Sequence, residues 1–202
     1  MSRAPRNVLL GFALALSCQM LRAQQRESVT ITEPGIIKLT DLFEMSDAVA
    51  LVRIVSGDAE GYETAVYKAK LVQSFKGPTT GEIYFGPYIG SKLGGEYVLF
   101  LRKPKEPSVP KSVSKSNYGT VSIFQVFNQG YSAMEASYEC VFNAKDIADK
   151  CAYGVKVCTD YVVLPKSLPV FPPLRENVPF GCRWVRREPF LATLARFRDS
   201  RR

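Results

Sequence analysis

The side chains with chemistry to offer lie mostly in the last third of this sequence. Cys140, Cys151, Cys158 and Cys182 form an even set of thiols. In an oxidising compartment such a set reads as two disulfides, with three connectivities open. Zinc is the alternative, but no CxxC pair occurs and the chain has no histidine to complete a ligand set. The second group is basic. Arg183, Arg186 and Arg187 precede a predicted helix, Arg196 and Arg198 end it, and Arg201 and Arg202 follow. Guanidinium forks suit phosphate and carboxylate, so these are candidate anion-binding residues for an anionic envelope surface or an acidic partner. The plainer alternative is a solvated helix end with Trp184 packed inward.

The absence of histidine also excludes Ser-His-Asp and Cys-His nucleophilic sites and the HExxH zinc motif. A Ser-Lys arrangement remains formally open at Ser91-Lys92 and at Ser112 with Lys115, but both lie in turn and loop sequence. Carboxylates are scattered without a spacing that implies acid–base work. Neither phosphate-binding glycine motif is present, and nothing points to a cofactor or a catalytic metal. The expectation is a binding or interaction module and not an enzyme, with an unknown protein or envelope component as partner. A histidine-free hydrolase is the remote alternative.

The charge is unevenly spread. Residues 1–23 carry three arginines and no acid, so removing them takes the net charge from +8 to +5. Residues 24–174 are neutral, with 16 basic and 16 acidic side chains. The excess lies in residues 175–202, where eight arginines face Glu176, Glu188 and Asp199. A basic tail on a neutral body does not suggest nucleic acid as a partner.

The N-terminus reads as a secretory signal. Arg3 and Arg6 precede the apolar run Val8–Leu16, which is too short to span a bilayer, and Leu21-Arg22-Ala23 supplies a cleavage site before Gln24. A rival reading makes Cys18 the acceptor of a lipoprotein signal, which would tether the protein by acyl chains. No later stretch has the length of a membrane-spanning helix. The expected location is extracytoplasmic, periplasmic or secreted, with a tethered lipoprotein as the alternative.

After the signal, the chain is dominated by strand patterns. Thr40 is a candidate N-cap for one or two helical turns ending near Met45. Ala48–Ser56 is apolar and β-branched. Tyr62–Phe75 alternates, placing Ala65, Tyr67, Ala69 and Leu71 on one face. Glu82–Phe85 is a third strand, and Leu93-Gly94-Gly95-Glu96 turns into the buried run Tyr97–Leu101. A Lys-, Pro- and Ser-rich loop covers residues 103–119, and Thr120–Phe127 is a fifth strand. Tyr161–Leu164 is a further strand candidate, residues 165–181 run extended on five prolines, and Pro189–Arg198 has a helical apolar stripe of Phe190, Leu191, Leu194 and Phe197.

Three blocks carry a family resemblance. Residues Ser46–Ser56, Tyr67–Pro78 with its Phe75-Lys76-Gly77 exit, and Gly94–Leu101 resemble, in order, three strands of the netrin-like and tissue-inhibitor-of-metalloproteinase-like domains. The resemblance covers residues 40–127 and implies an OB-type barrel of five strands. In the inhibitors an N-terminal Cys-x-Cys chelates the target's zinc. Here Gln24 holds the expected new N-terminus and no cysteine follows before Cys140, so that activity does not carry over. An inhibitor acting through a loop instead is the second functional reading. On an OB barrel the strand face could take an oligomeric ligand, with Tyr62, Tyr67, Tyr84 and Tyr88 as candidates.

The sequence therefore predicts a mainly β protein: a signal peptide at 1–23, an OB-like five-stranded barrel at 24–135, a Cys/Pro-rich elaboration at 136–185, and a C-terminal amphipathic helix with a basic tail at 186–202. Mass spectrometry of the exported protein should show a chain beginning at Gln24 with its four cysteines oxidised. A lipid-bearing mass beginning at Cys18 would establish the tethered form instead.

Overall fold

A computed structural model describes residues 34–59, 65–86, 90–104, 123–140, 151–168, 170–171 and 181–200. The signal segment, Cys18 and most of the loop at 103–119 lie outside them.

Two long strands begin the barrel. β2 (Ala48–Ala59) pairs antiparallel with β3 (Ala65–Lys76), and the short strand β1 (Ile37–Lys38) lies ahead of them. Three register shifts, after Val49, Leu51 and Ile54, interrupt the β2–β3 ladder. Such irregularities add local twist, which lets two long strands wrap a closed wall. β3 pairs with β4 (Glu82–Phe85), and β2 pairs on its other edge with β5 (Glu96–Arg102). β6 (Ile123–Val126) closes the ring by running parallel to β4 and antiparallel to β5. The ring β2-β3-β4-β6-β5 is the OB strand order, as the sequence predicts.

Alternation decides what fills the ring. Ala50, Val52, Ile54, Ala69, Ile83 and Leu99 belong to the cluster inside the barrel, and Tyr67 stacks there on Phe85 at 5.3 Å. The face predicted for Tyr67, Ala69 and Leu71 is thus this interior one. Small Ala48, Ala50 and Ala69 leave room for the aromatic rings. At the end of β3, Gly77 has φ +83°, and a Cβ there would lie 2.7 Å from the Asp47 carbonyl oxygen. Only glycine suits that exit.

The opposite face of the same strands builds a second core. Val49, Leu51, Val98 and Phe100 point away from the barrel and pack against two helices. α1 (Leu39–Met45) contributes Leu39, Leu42 and Phe43. Its N-cap position is Lys38, not Thr40; Thr40 sits inside the first turn, where its hydroxyl contacts Asp41 at 3.2 Å. α2 (Arg187–Asp199) begins two residues before the expected Pro189 and buries Phe190, Leu191 and Leu194. Each such side chain contributes roughly 1.5–3 kcal/mol through burial. Phe197 meets Phe43 edge-on at 5.6 Å, joining the two helices. Glu188 in the first turn and Arg196 and Arg198 in the last suit the helix dipole.

The cysteine-bearing stretch continues the barrel's sheet. β7 (Ala133–Cys140) pairs with β5, β8 (Cys151–Cys158) with β7, and β11 (Cys182–Arg186) with β8. The edge strand β10 (Val170–Phe171) completes a nine-stranded sheet, while β9 (Val162–Val163) pairs separately with β1. Cys158 and Cys182 are direct cross-strand partners and form a disulfide. This leaves one pairing for a second bridge, Cys140 with Cys151, whose backbones the β7–β8 register sets opposite each other. Non-reducing peptide mapping should recover Cys140 linked to Cys151. A peptide joining either of them to Cys158 or Cys182 would contradict the register.

Candidate functional site

β5 is shared by two structures along a single edge. Its end, Leu101 and Arg102, pairs with β6, whereas Glu96 to Leu99 pair with β7. The fork is at Phe100. Its carbonyl accepts from the Phe127 N–H at 3.3 Å, and its own N–H donates to the Ser132 carbonyl at 3.1 Å. The buried Ser132 hydroxyl stitches the two branches by donating to the Phe127 carbonyl at 2.6 Å. Asn128, in the turn between the branches, takes φ +47° and donates from its side chain to the Gly35 carbonyl at 2.9 Å. Asparagine is one of the few side-chain-bearing residues that tolerate that conformation.

Beyond the fork, β6 belongs to the barrel wall and β7 carries the sheet onward, and a cleft of about 290 Å³ opens beside them. Its floor follows from register. Tyr97 faces Glu135 across β5–β7, and Lys156 faces Trp184 across β8–β11. Tyr97, Glu135 and Lys156 line the cleft with Tyr131, Ala133 and Cys158, and two glycines, Gly90 and Gly130, widen its rim. Tyr131 stacks on Tyr161 with ring centroids 4.0 Å apart, which holds one wall. The Lys92 N–H donates to the Tyr97 hydroxyl at 2.9 Å, while burial is the main cause pushing that phenol above its ordinary pKa.

The charges of the cleft are unequal. Glu135 pairs with Lys92 at 2.8 Å, but Lys92 is 72% exposed, so the pair is a weak, solvent-side contact. The Lys156 side chain makes no hydrogen bond or ion pair with any described residue. It is a half-buried cation in the lining of the cleft.

The other face of the same strands is closed by a charged clasp. Glu96, directly opposite Arg53, accepts from the Arg53 guanidinium at 2.7 Å, the Tyr153 hydroxyl at 3.1 Å and Arg187 at 3.5 Å. Arg187 also lies over the Tyr153 ring at 4.9 Å. Glu96 is only 9% exposed, so three donors offset the desolvation of its carboxylate. The hydrogen bond to Glu96 raises the Arg53 pKa, and burial followed by the Glu96 charge raises that of Tyr153. The clasp ties the barrel, the added strands and the start of α2 at one point.

The candidate arginines fall in two places. Arg183 and Arg186 are exposed on β11 and Arg187 starts α2, whereas Arg196 and Arg198 lie in its last turn. A helix of this length spans about 20 Å, so the two groups do not form one cluster. Arg187 is held by Glu96, Arg198 pairs with Asp199 at 2.9 Å, and Arg196 reaches the Thr193 hydroxyl at 3.3 Å. Of the candidate tyrosines, Tyr67 is inside the barrel and Tyr84 lies outside beside the Lys68–Glu82 ion pair, while Tyr62 and Tyr88 fall outside the described residues. Of the Ser-Lys candidates, Lys92 is engaged with Glu135, and Ser112 and Lys115 lie outside the described residues. Sequence reasoning passed over Glu96, Glu135 and Lys156. Lys156, alone between Val155 and Val157, carried the period-2 signal of a strand but nothing that named its neighbours.

Glu96→Ala should lower unfolding free energy by about 1–3 kcal/mol, because Tyr153 and Arg187 then lose their acceptor; denaturant unfolding measures this. A tyrosine whose folded pKa is raised keeps its stabilising contribution below the unfolded value near 10 and loses it as pH rises through the folded value. Wild-type stability should therefore decline above about pH 10, and Tyr153→Phe should make that decline shallower.

No protein-family model matches the chain, and no curated protein matches it.

Proposed function

We propose that the protein is an exported, non-enzymatic binding module of OB-like fold that takes a small ligand in the cleft at the fork of β5. The observation that carries this reading is Lys156, a cation without a partner among the described residues, set in a concave site on a doubly paired strand. Binding sites combine concavity, apolar walls and a few polar groups that orient the ligand. The cleft has aromatic walls in Tyr97 and Tyr131 and charged groups in Glu135 and Lys156. Strands hold such groups more firmly than loops do.

Export rests on the N-terminal signal pattern. The Cys158–Cys182 disulfide is what an oxidising compartment would produce. No helix among the described residues is long and apolar enough to cross a membrane. The reading as a binding module rather than an enzyme rests on the histidine-free sequence, which offers no Ser-His-Asp or Cys-His set. The three sequence blocks resemble strands of the netrin-like domains, whose inhibitory cysteines have no counterpart here.

A fragment screen by amide-resolved NMR on the mature chain tests this. Hits should shift the amides of Tyr131 to Glu135 and Lys156 to Cys158, and Ala133→Trp, which fills the cleft, should abolish them. Hits confined to the outward face of β3 and β4, or insensitive to Ala133→Trp, would move the binding site elsewhere.

A further inference from the structure

We infer that the cleft selects small aromatic monocarboxylates, an inference that rests on the cleft being the ligand site. Charge sets the first requirement. Glu135 has Lys92 as its partner at 2.8 Å, which leaves Lys156 as the one charged side chain without a partner among the described lining residues. One ammonium is a point charge matched to one negative charge. A phosphate dianion would need more donors, such as a guanidinium fork or a helix N-terminus, and neither occurs in the described lining. Glu135, in the same lining, also opposes a second negative charge on the ligand.

Shape sets the second. A cavity of about 290 Å³ is at the lower limit for a small-molecule site and suits a ligand built on a single ring. Its lining includes Tyr97, Tyr131, Ala133 and two glycines that bring no side chain at all. A flat apolar body gains stacking and burial against such walls. Tyr131 is already held by Tyr161, so its ring does not have to be ordered when the ligand arrives. In the bound pose the carboxylate lies at Lys156 and the ring lies between Tyr131 and Ala133.

The chain carries its own reporter. Its single tryptophan, Trp184, is the direct cross-strand partner of Lys156, with its side chain on the same face of the sheet. Titration of the mature protein with benzoate, benzyl alcohol and benzylamine, followed by Trp184 fluorescence and by calorimetry, tests the inference. Benzoate should bind, the neutral and cationic analogues should bind at least about tenfold more weakly, and Lys156→Gln should remove about that factor for benzoate alone. Lys156→Arg should retain most of the preference, and unchanged thermal midpoints of both variants would exclude a folding defect. Equal binding of all three analogues, or benzoate binding untouched by Lys156→Gln, would overturn the carboxylate preference while leaving the cleft as a binding site. Silence of all three overturns the inference. The fragment screen then tells whether the cleft binds anything, which separates this failure from failure of the site itself.

Discussion

The structure depends on β5 being paired twice along one edge. A strand of seven residues with Tyr97 to Leu101 all at most 2% exposed has no solvent face, so every polar group of its backbone needs a partner within the protein. β2 serves one edge throughout. The other edge is divided at Phe100 between β6, which closes the barrel, and β7, which extends the sheet. Phe100 spends its two backbone groups on that edge, one on each side of the division, and Ser132 bridges the gap with its hydroxyl. If the edge were served by one strand alone, the molecule would be either a bare barrel or an open sheet. The division yields both, and the cleft is the space where the two part.

A single alternation then serves three environments. Odd-numbered residues of β5, Tyr97, Leu99 and Leu101, all turn into the barrel, and Tyr97, the first of them, also borders the cleft. Even-numbered residues meet the helices at Val98 and Phe100 and end in the Glu96 clasp. The clasp sits at the margin of the second core, where Arg53 is largely in water. It therefore acts mainly to satisfy a buried carboxylate and to aim Arg187, and less as a source of Coulomb energy. The apolar surface beneath α1 and α2 supplies the larger stabilisation, and the clasp fixes where α2 begins.

The cleft and the clasp lie on opposite faces of the same strands, and their chemistry differs accordingly. The clasp balances its carboxylate with three donors inside the protein. The cleft leaves its cation unbalanced and open. Among the described residues the Lys156 side chain has no partner, and it lines a concave site. That asymmetry is why the ligand reading attaches to Lys156 and not to the larger number of arginines near the C-terminus, several of which are already engaged.

What the sequence determined by itself was local. Alternation marked β3 and its inward face, the uninterrupted apolar run marked β5, the glycines marked the exits at Gly77 and Gly94, and the 3.6-residue stripe marked α2. These follow from side-chain period and backbone sterics, which act over a few residues. The expectation of a five-stranded barrel held as far as β6, where the ring closes. What only the tertiary structure decided was which distant residues share a face. The stretch at 136–185 reads as a Cys/Pro-rich elaboration from its composition, and register shows how it continues the sheet: β7 pairs with β5, β8 with β7 and β11 with β8. Which cysteine meets Cys158, which donors meet Glu96, and that Lys156 and Glu135 line one cleft all depend on register between strands far apart in the chain. Register is a property of pairs of strands, and a shift of one residue turns every side chain to the other face, so no single stretch of sequence contains it.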